Sequence, residues 1–206
     1  MEHDLPPPYD AHDPLVSTGI SERGSNPTDH DVFHIFCETN RDYQVHSDRH
    51  PRLYVRAHRW NFTKPNLVIY LCGQELDREL CHCEFREKTG QCDIGILKSP
   101  SGESSTMWWS DTDRKIAISK LYRFSAVVRA GHGNDSVYKT FVWKRTSRLE
   151  LVDEATNNVA AIAPDVTFDH PKLGSLEVLV PYGLDFNLIA LTTFLSICER
   201  LRDEGS

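Results

Sequence analysis

From Val32 onward, short apolar runs alternate with clusters of turn residues. The runs predict strands at about 32–37, 42–46, 52–58, 67–72, 79–86, 93–98, 106–110, 116–121, 122–130, 137–146, 149–153, 158–163 and 175–180. Between them stand Lys64-Pro65-Asn66, Gly73-Gln74, Thr89-Gly90, Ser99-Pro100-Ser101-Gly102, Gly131-His132-Gly133-Asn134-Asp135, Thr156-Asn157-Asn158 and Pro181-Tyr182-Gly183. Gly, Pro and Asn in these clusters supply the backbone angles that turns need. Many short strands at this spacing point to an all-β sandwich or barrel.

Two segments alternate clearly. In 52–58, Leu53, Val55 and Ala57 share one face and Arg52, Tyr54, Arg56 and His58 the other. In 122–130, Tyr122, Phe124, Ala126, Val128 and Ala130 share a face, with Arg123, Ser125, Val127 and Arg129 opposite. Trp143 falls in an aromatic-rich strand and is expected in the core. Adjacent Trp108 and Trp109 must point to opposite faces, so one of them is expected inside.

The last segment changes period. Asp185 is a candidate N-cap for a helix over 186–201. Apolar residues and small hydroxyls surround this helix until Glu199, with no polar stripe. Such a helix needs burial on every side. After a dozen strands, the arrangement that provides it is a closed barrel of about twelve strands with the helix through its middle. The uncharged run 186–198 is shorter than the roughly 17–25 residues of a membrane span, so no transmembrane span is expected.

Residues 1–31 have a different texture. They are rich in Pro, Asp, Ser, Gly and His and lack apolar periodicity, which predicts a disordered acidic arm before a folded domain over 32–206. The chain of 206 residues carries a net charge of −7, which taken alone argues against nucleic-acid or anionic-membrane partners. By segment, 1–31 contributes −6 and 32–206 only −1. Within the body, 41–64 carries +4, 114–148 carries +8 and 149–206 carries −7. The total therefore does not exclude an anionic ligand, although no nucleic-acid partner is expected. Six cysteines in uneven spacing do not form a secreted disulfide framework, and the N-terminus shows no signal peptide. The expected location is the cytoplasm, or the periphery of a membrane facing it.

The chain resembles the tubby-C-terminal-like superfamily, which includes tubby-like proteins, phospholipid scramblases and plant LURP-one-related proteins. Within it, the likeness is to a fungal branch of unknown function. The residues that carry it are Tyr138-Lys139-Thr140-Phe141-Val142-Trp143-Lys144, then Leu149-Glu150-Leu151-Val152-Asp153, Val159-Ala160-Ala161-Ile162 and Gly174-Ser175-Leu176-Glu177-Val178, followed by Leu184-Asp185 and the apolar helix. The match is good over 137–202 and loose over 52–98. The resemblance implies a barrel of about twelve strands around a C-terminal helix. Some tubby-like proteins bind phosphoinositides, so it also implies a candidate anionic lipid ligand.

Two candidate sites follow. Pro6-Pro7-Pro8-Tyr9 fits the Pro-Pro-x-Tyr ligand of WW domains, whose grooves take a preformed polyproline helix and the Tyr ring. A ubiquitin ligase bearing WW domains is the partner type it suggests. The outward Arg52, Arg56, Arg123 and Arg129, with Lys144 and Arg145, could hold anionic headgroups through charge-assisted hydrogen bonds. The competing reading makes them solvated faces paired with acids of 149–206. Cys72, Cys81, Cys83 and Cys92 lack the knuckle spacing of a zinc site, so no metal is assigned. No nucleophile elbow, phosphate loop, dinucleotide fingerprint or His-Glu-x-x-His occurs, so no catalytic residue and no cofactor are assigned. The expected function is non-enzymatic binding or adaptor activity. The alternative is an enzyme or scramblase-like lipid-handling protein whose site is assembled from distant residues.

Overall fold

A computed structural model describes residues 30–38, 42–58, 66–72, 78–86, 91–96, 104–108, 122–129, 136–164 and 172–204. They form twelve strands and one helix: β1 (Asp31–Cys37), β2 (Asp42–His46), β3 (Leu53–Ala57), β4 (Leu67–Leu71), β5 (Arg78–Arg86), β6 (Gln91–Ile96), β7 (Ser104–Trp108), β8 (Tyr122–Arg129), β9 (Ser136–Arg145), β10 (Leu149–Asp153), β11 (Val159–Ala163), β12 (Lys172–Val178) and α1 (Leu184–Glu204). The expected strand at 116–121 lies outside the described residues, as do Trp60 and Trp109. Asp31, counted above with the arm, opens β1 instead, because its backbone pairs with Val178.

Every strand is antiparallel to its sequence neighbours, and β1 pairs with both β2 and β12, so the order closes on itself. Two seams are narrow, with two pairs each in register: Ala161↔Val178 and Ile162↔Glu177 between β11 and β12, and Met107↔Phe124 and Trp108↔Arg123 between β7 and β8. Alternation decides which face is inside. Leu53, Val55 and Ala57 are buried while Arg56 is exposed, and Tyr122, Phe124, Ala126 and Val128 are buried while Arg123 is exposed. Trp143 is fully buried, as its strand pattern required.

Helix α1 is buried continuously over 186–199. Its side chains reach strands spaced around the whole ring. Asn187 Nδ2 donates to Asp31 Oδ2 of β1 at 2.7 Å, and the Tyr43 hydroxyl of β2 donates to Glu199. Cys81 Sγ of β5 lies 3.3 Å from Thr192 Oγ1, and Trp143 Nε1 of β9 donates to Thr193 Oγ1 at 2.9 Å. A helix can touch β1, β2, β5 and β9 at once only from inside the ring. Each hydroxyl also donates within the helix, Thr192 to Leu188 O, Thr193 to Ala190 O and Ser196 to Thr192 O, so none is left unsatisfied in the interior.

The helix start differs from the sequence expectation. Its first turn closes with Asn187 N–H on Gly183 O, which makes Gly183, at φ 90°, the N-cap. That angle favours glycine, and the preceding Pro181-Tyr182 delivers the chain there. Asp185 sits in the first turn, where its charge suits the helix dipole.

The β10–β11 turn shows how the sheet ends are secured. Asp153 Oδ1 accepts from the backbone N–H of Ala155 (3.0 Å) and Thr156 (3.3 Å), and Oδ2 accepts from Lys139 Nζ at 2.5 Å. Asn157 completes the turn at φ 58°, a conformation Asn tolerates. Burial alone would raise the Asp153 carboxyl, but the Lys139 and backbone bonds outweigh it and hold the group below its ordinary value. Asp153→Ala should therefore cost about 1–3 kcal/mol, because it deprives a half-buried ammonium and two turn N–H groups of their acceptor. A urea titration at neutral pH checks this; an unchanged midpoint would mean the turn stands without its carboxylate.

Candidate functional site

Pro6, Pro7, Pro8 and Tyr9 lie outside the described residues. The basic candidates are described, except for the side chain of Arg129, of which only the place at the end of β8 is known. They fall into two groups. Arg52 directly precedes β3 and Arg56 lies within it, while Arg123, Lys144 and Arg145 belong to β8 and β9. β3 and β8 are five positions apart in the ring of twelve, so the groups face nearly opposite directions and form no single patch.

Each group has its own electrostatics. Arg56 lies over the Tyr54 ring, 5.4 Å from its centroid, and its Nε is 3.9 Å from Asp42. Arg123 meets Glu154 at 2.5 Å, and Arg148 donates to Glu150 at 2.8 Å. Glu150 is also the cross-strand neighbour of Lys144. The acids that follow residue 149 thus do pair with the basic block before them. Exposed pairs of this kind contribute about 0–1 kcal/mol, so they neutralise the face more than they stabilise it.

Two partly buried polar clusters that the sequence did not reveal stand at the two ends of α1. At the end where α1 begins, Asp31 gathers His50 Nε2 (3.3 Å), Arg49 (3.6 Å) and Asn187. The His50 ring stacks on Phe33 with centroids 5.5 Å apart and planes 7° from parallel. Burial pushes the Asp31 carboxyl up, but its bonds to His50 and Asn187 and the charges of His50 and Arg49 prevail and lower it. His30 Nδ1 meets Glu177 at 2.9 Å beside this cluster, so the chain enters the sheet between two polar contacts.

At the opposite end, Tyr43, Glu199, Arg202 and Cys37 form a second cluster. Arg202 donates to Glu199 Oε1 at 3.0 Å and to Cys37 Sγ at 3.7 Å, and its guanidinium lies 5.6 Å from the Tyr43 ring centroid. Burial, then the Glu199 charge, push the Tyr43 phenol well above its ordinary value, so it remains a donor. Sequence reasoning took Glu199 as the point where the buried stretch ends. Glu199 is itself buried, because Tyr43 and Arg202 supply its partners. A carboxylate one turn before Arg202, at the foot of an otherwise apolar helix, was the available signal.

Cys81 and Cys83 point inward at Thr192 and Ser196, while His82 faces outward and bonds Glu79 at 3.0 Å. Cys72 is exposed at the end of β4. Cys81 is a buried free thiol, whereas Cys83 is disulfide-bonded. Among the described residues, no group of three or more His, Cys, Asp or Glu side chains is arranged to hold a metal ion. No helix among them is long and apolar enough to cross a membrane.

Comparison of the chain with family models, with curated proteins and with solved structures finds no match.

Proposed function

We propose that this chain is a non-enzymatic binding and adaptor protein: a barrel of the tubby-like kind around its own helix, preceded by a WW-domain ligand at Pro6–Tyr9. The carrying observation is the filled interior. The side chains of α1 occupy the space that a ligand-binding barrel leaves open, and the polar ones are tied to the strands. Recognition then belongs to the outer face and to the N-terminal segment. Arg123 and Lys144 on the outer face, with the exposed Arg145 at the end of β9, form the basic group best placed for an anionic headgroup, with Arg52 and Arg56 as a separate one. This reading places the protein in the cytoplasm or at the membrane surface facing it.

The enzymatic alternative has one observation in its favour, the Asp31–His50 pair, which resembles an acid-oriented base. Both His50 ring nitrogens are buried, however, which suits a clamp on the start of β1 better than proton transfer to a substrate.

Two arms of one experiment test the proposal. The full chain should bind a WW domain with Kd below about 100 μM, and Tyr9→Ala should weaken it at least roughly tenfold. Flotation with phosphoinositide vesicles should be reduced by combined Ala substitution of Arg123, Lys144 and Arg145, and more at low salt than at high salt. Absence of WW binding removes the adaptor role, and absence of flotation at low salt removes the lipid role.

A further inference from the structure

The β9–β10 turn is an exposed basic hairpin tip. Lys144, Arg145, Thr146, Ser147 and Arg148 are all exposed, and the ladder resumes at Arg145↔Leu149 and Lys144↔Glu150. Thr146 commits both donors to the turn: its N–H reaches Arg148 O at 2.9 Å and its hydroxyl reaches the same oxygen at 3.4 Å. Ser147 stands at the tip beside it. Lys144 and Arg145 lie three and two residues before Ser147, and Arg148 follows it directly.

We propose that Ser147 is a phosphoacceptor site for a serine/threonine kinase that prefers basic substrates. Such a kinase reads lysine and arginine on the N-terminal side of the acceptor through carboxylates, by charge-assisted hydrogen bonds. Lys144 and Arg145 are the recognition residues, and the turn-bound Thr146 hydroxyl is the disfavoured acceptor. In the transfer, Ser147 Oγ bonds to the γ-phosphorus of ATP. The bond from that phosphorus to the β–γ bridging oxygen breaks, ADP leaves, and the hydroxyl proton passes to the kinase's catalytic carboxylate. The acceptor segment must lie extended in the kinase cleft, which requires the tip of the hairpin and the two ladder pairs next to it, Arg145↔Leu149 and Lys144↔Glu150, to open. Tips held by few contacts open at far lower cost than the whole fold. Once formed, the phosphate adds about −1.5 to −2 charge among three bases, and it can draw Arg148 from Glu150. The outer basic group then loses most of its positive charge. The assignment stands whether or not that face binds a lipid.

The test uses the full chain, the purified catalytic subunit of a basophilic kinase and ATP, with phosphosite mapping by mass spectrometry. The expected result is incorporation approaching about one phosphate at Ser147, abolished there in Ser147→Ala. Arg145→Ala should slow incorporation roughly tenfold, the worth of one charge-assisted hydrogen bond. Both substitutions lie in an exposed turn, and matching thermal melts of the variants confirm that the fold is intact. No incorporation, incorporation confined to other residues, or a rate indifferent to Arg145 overturns the proposal.

Discussion

Trp143→Ala is expected to remove about 3–5 kcal/mol of stability, a large part of the roughly 5–15 kcal/mol that holds a typical domain. The indole is fully buried between strand and helix, with the Phe194 ring 6.1 Å away and Thr193 Oγ1 accepting its N–H. Truncation leaves a cavity at the strand–helix interface and deprives the Thr193 hydroxyl of its donor. Trp143→Phe separates the two effects. It keeps much of the apolar volume and loses the hydrogen bond, and Thr193 still donates to Ala190 O, so a loss of about 1–2 kcal/mol is expected. Urea titrations at neutral pH give both values, and the slope should stay constant while the midpoint falls. A loss under about 1 kcal/mol for Trp143→Ala would show that the indole does not join β9 to α1.

The second large effect is alkaline. Burial pushes the Cys81 thiol up to about 12, with the Thr192 bond offsetting only part of the effect. In the unfolded chain the same thiol titrates near its ordinary value of 9.0. Between these values the native state binds more protons than the unfolded one, so stability falls as pH rises. The contribution is intact below pH about 9, and roughly 4 kcal/mol is lost by pH about 12, at about 1.4 kcal/mol per unit. Tyr43 and Cys198 add to the same slope, both raised first by burial and then by the Glu199 charge. Unfolding free energies at pH 7.5, 9 and 10.5 should therefore decline progressively. Cys81→Ala should start lower, through its small cavity, and decline less steeply. Parallel declines in the two proteins would remove Cys81 as a source of the slope.

Both effects originate in one design, a helix whose polar side chains are each assigned to a particular strand. Asn187, Thr192, Thr193 and Glu199 fix the rotation and depth of α1 against β1, β5, β9 and β2. Apolar contacts alone would let a helix turn or slide inside a ring, since hydrophobic attraction has no direction. Hydrogen bonds in a dry interior penalise each wrong position by leaving a buried group unpaired. The disposition of charge follows the same division. Directed, buried pairs hold the inside together, while the outward Arg123 and Arg148 meet carboxylates in water and contribute little to stability.

Parts of this were legible residue by residue. Leu53-x-Val55-x-Ala57 and Tyr122-x-Phe124-x-Ala126-x-Val128 named their buried faces, because strand geometry sends successive side chains to opposite sides. The stretch from Phe186 to Cys198 announced a helix buried all round, because no face of it could meet water. The N-cap was misplaced at Asp185 because a side-chain capping signal outweighed a glycine whose left-handed conformation is visible only in the backbone. Arg52, Arg56, Arg123, Lys144 and Arg145 were legible as exposed residues, but their separation into two groups was not, since it depends on the position of β3 and β8 around the ring.

Alternation, turn residues and the all-round apolar segment sufficed for an all-β chain with one buried helix, since each is a local property read over a few residues. Tertiary structure alone chose the partners. Tyr43 meets Glu199 and Asp31 meets Asn187 across 156 residues of chain. Trp143 finds Thr193 across 50. No local pattern encodes such pairs. They arise when antiparallel pairing brings β1 back beside β12 and the helix, fed in after β12, fills the space enclosed.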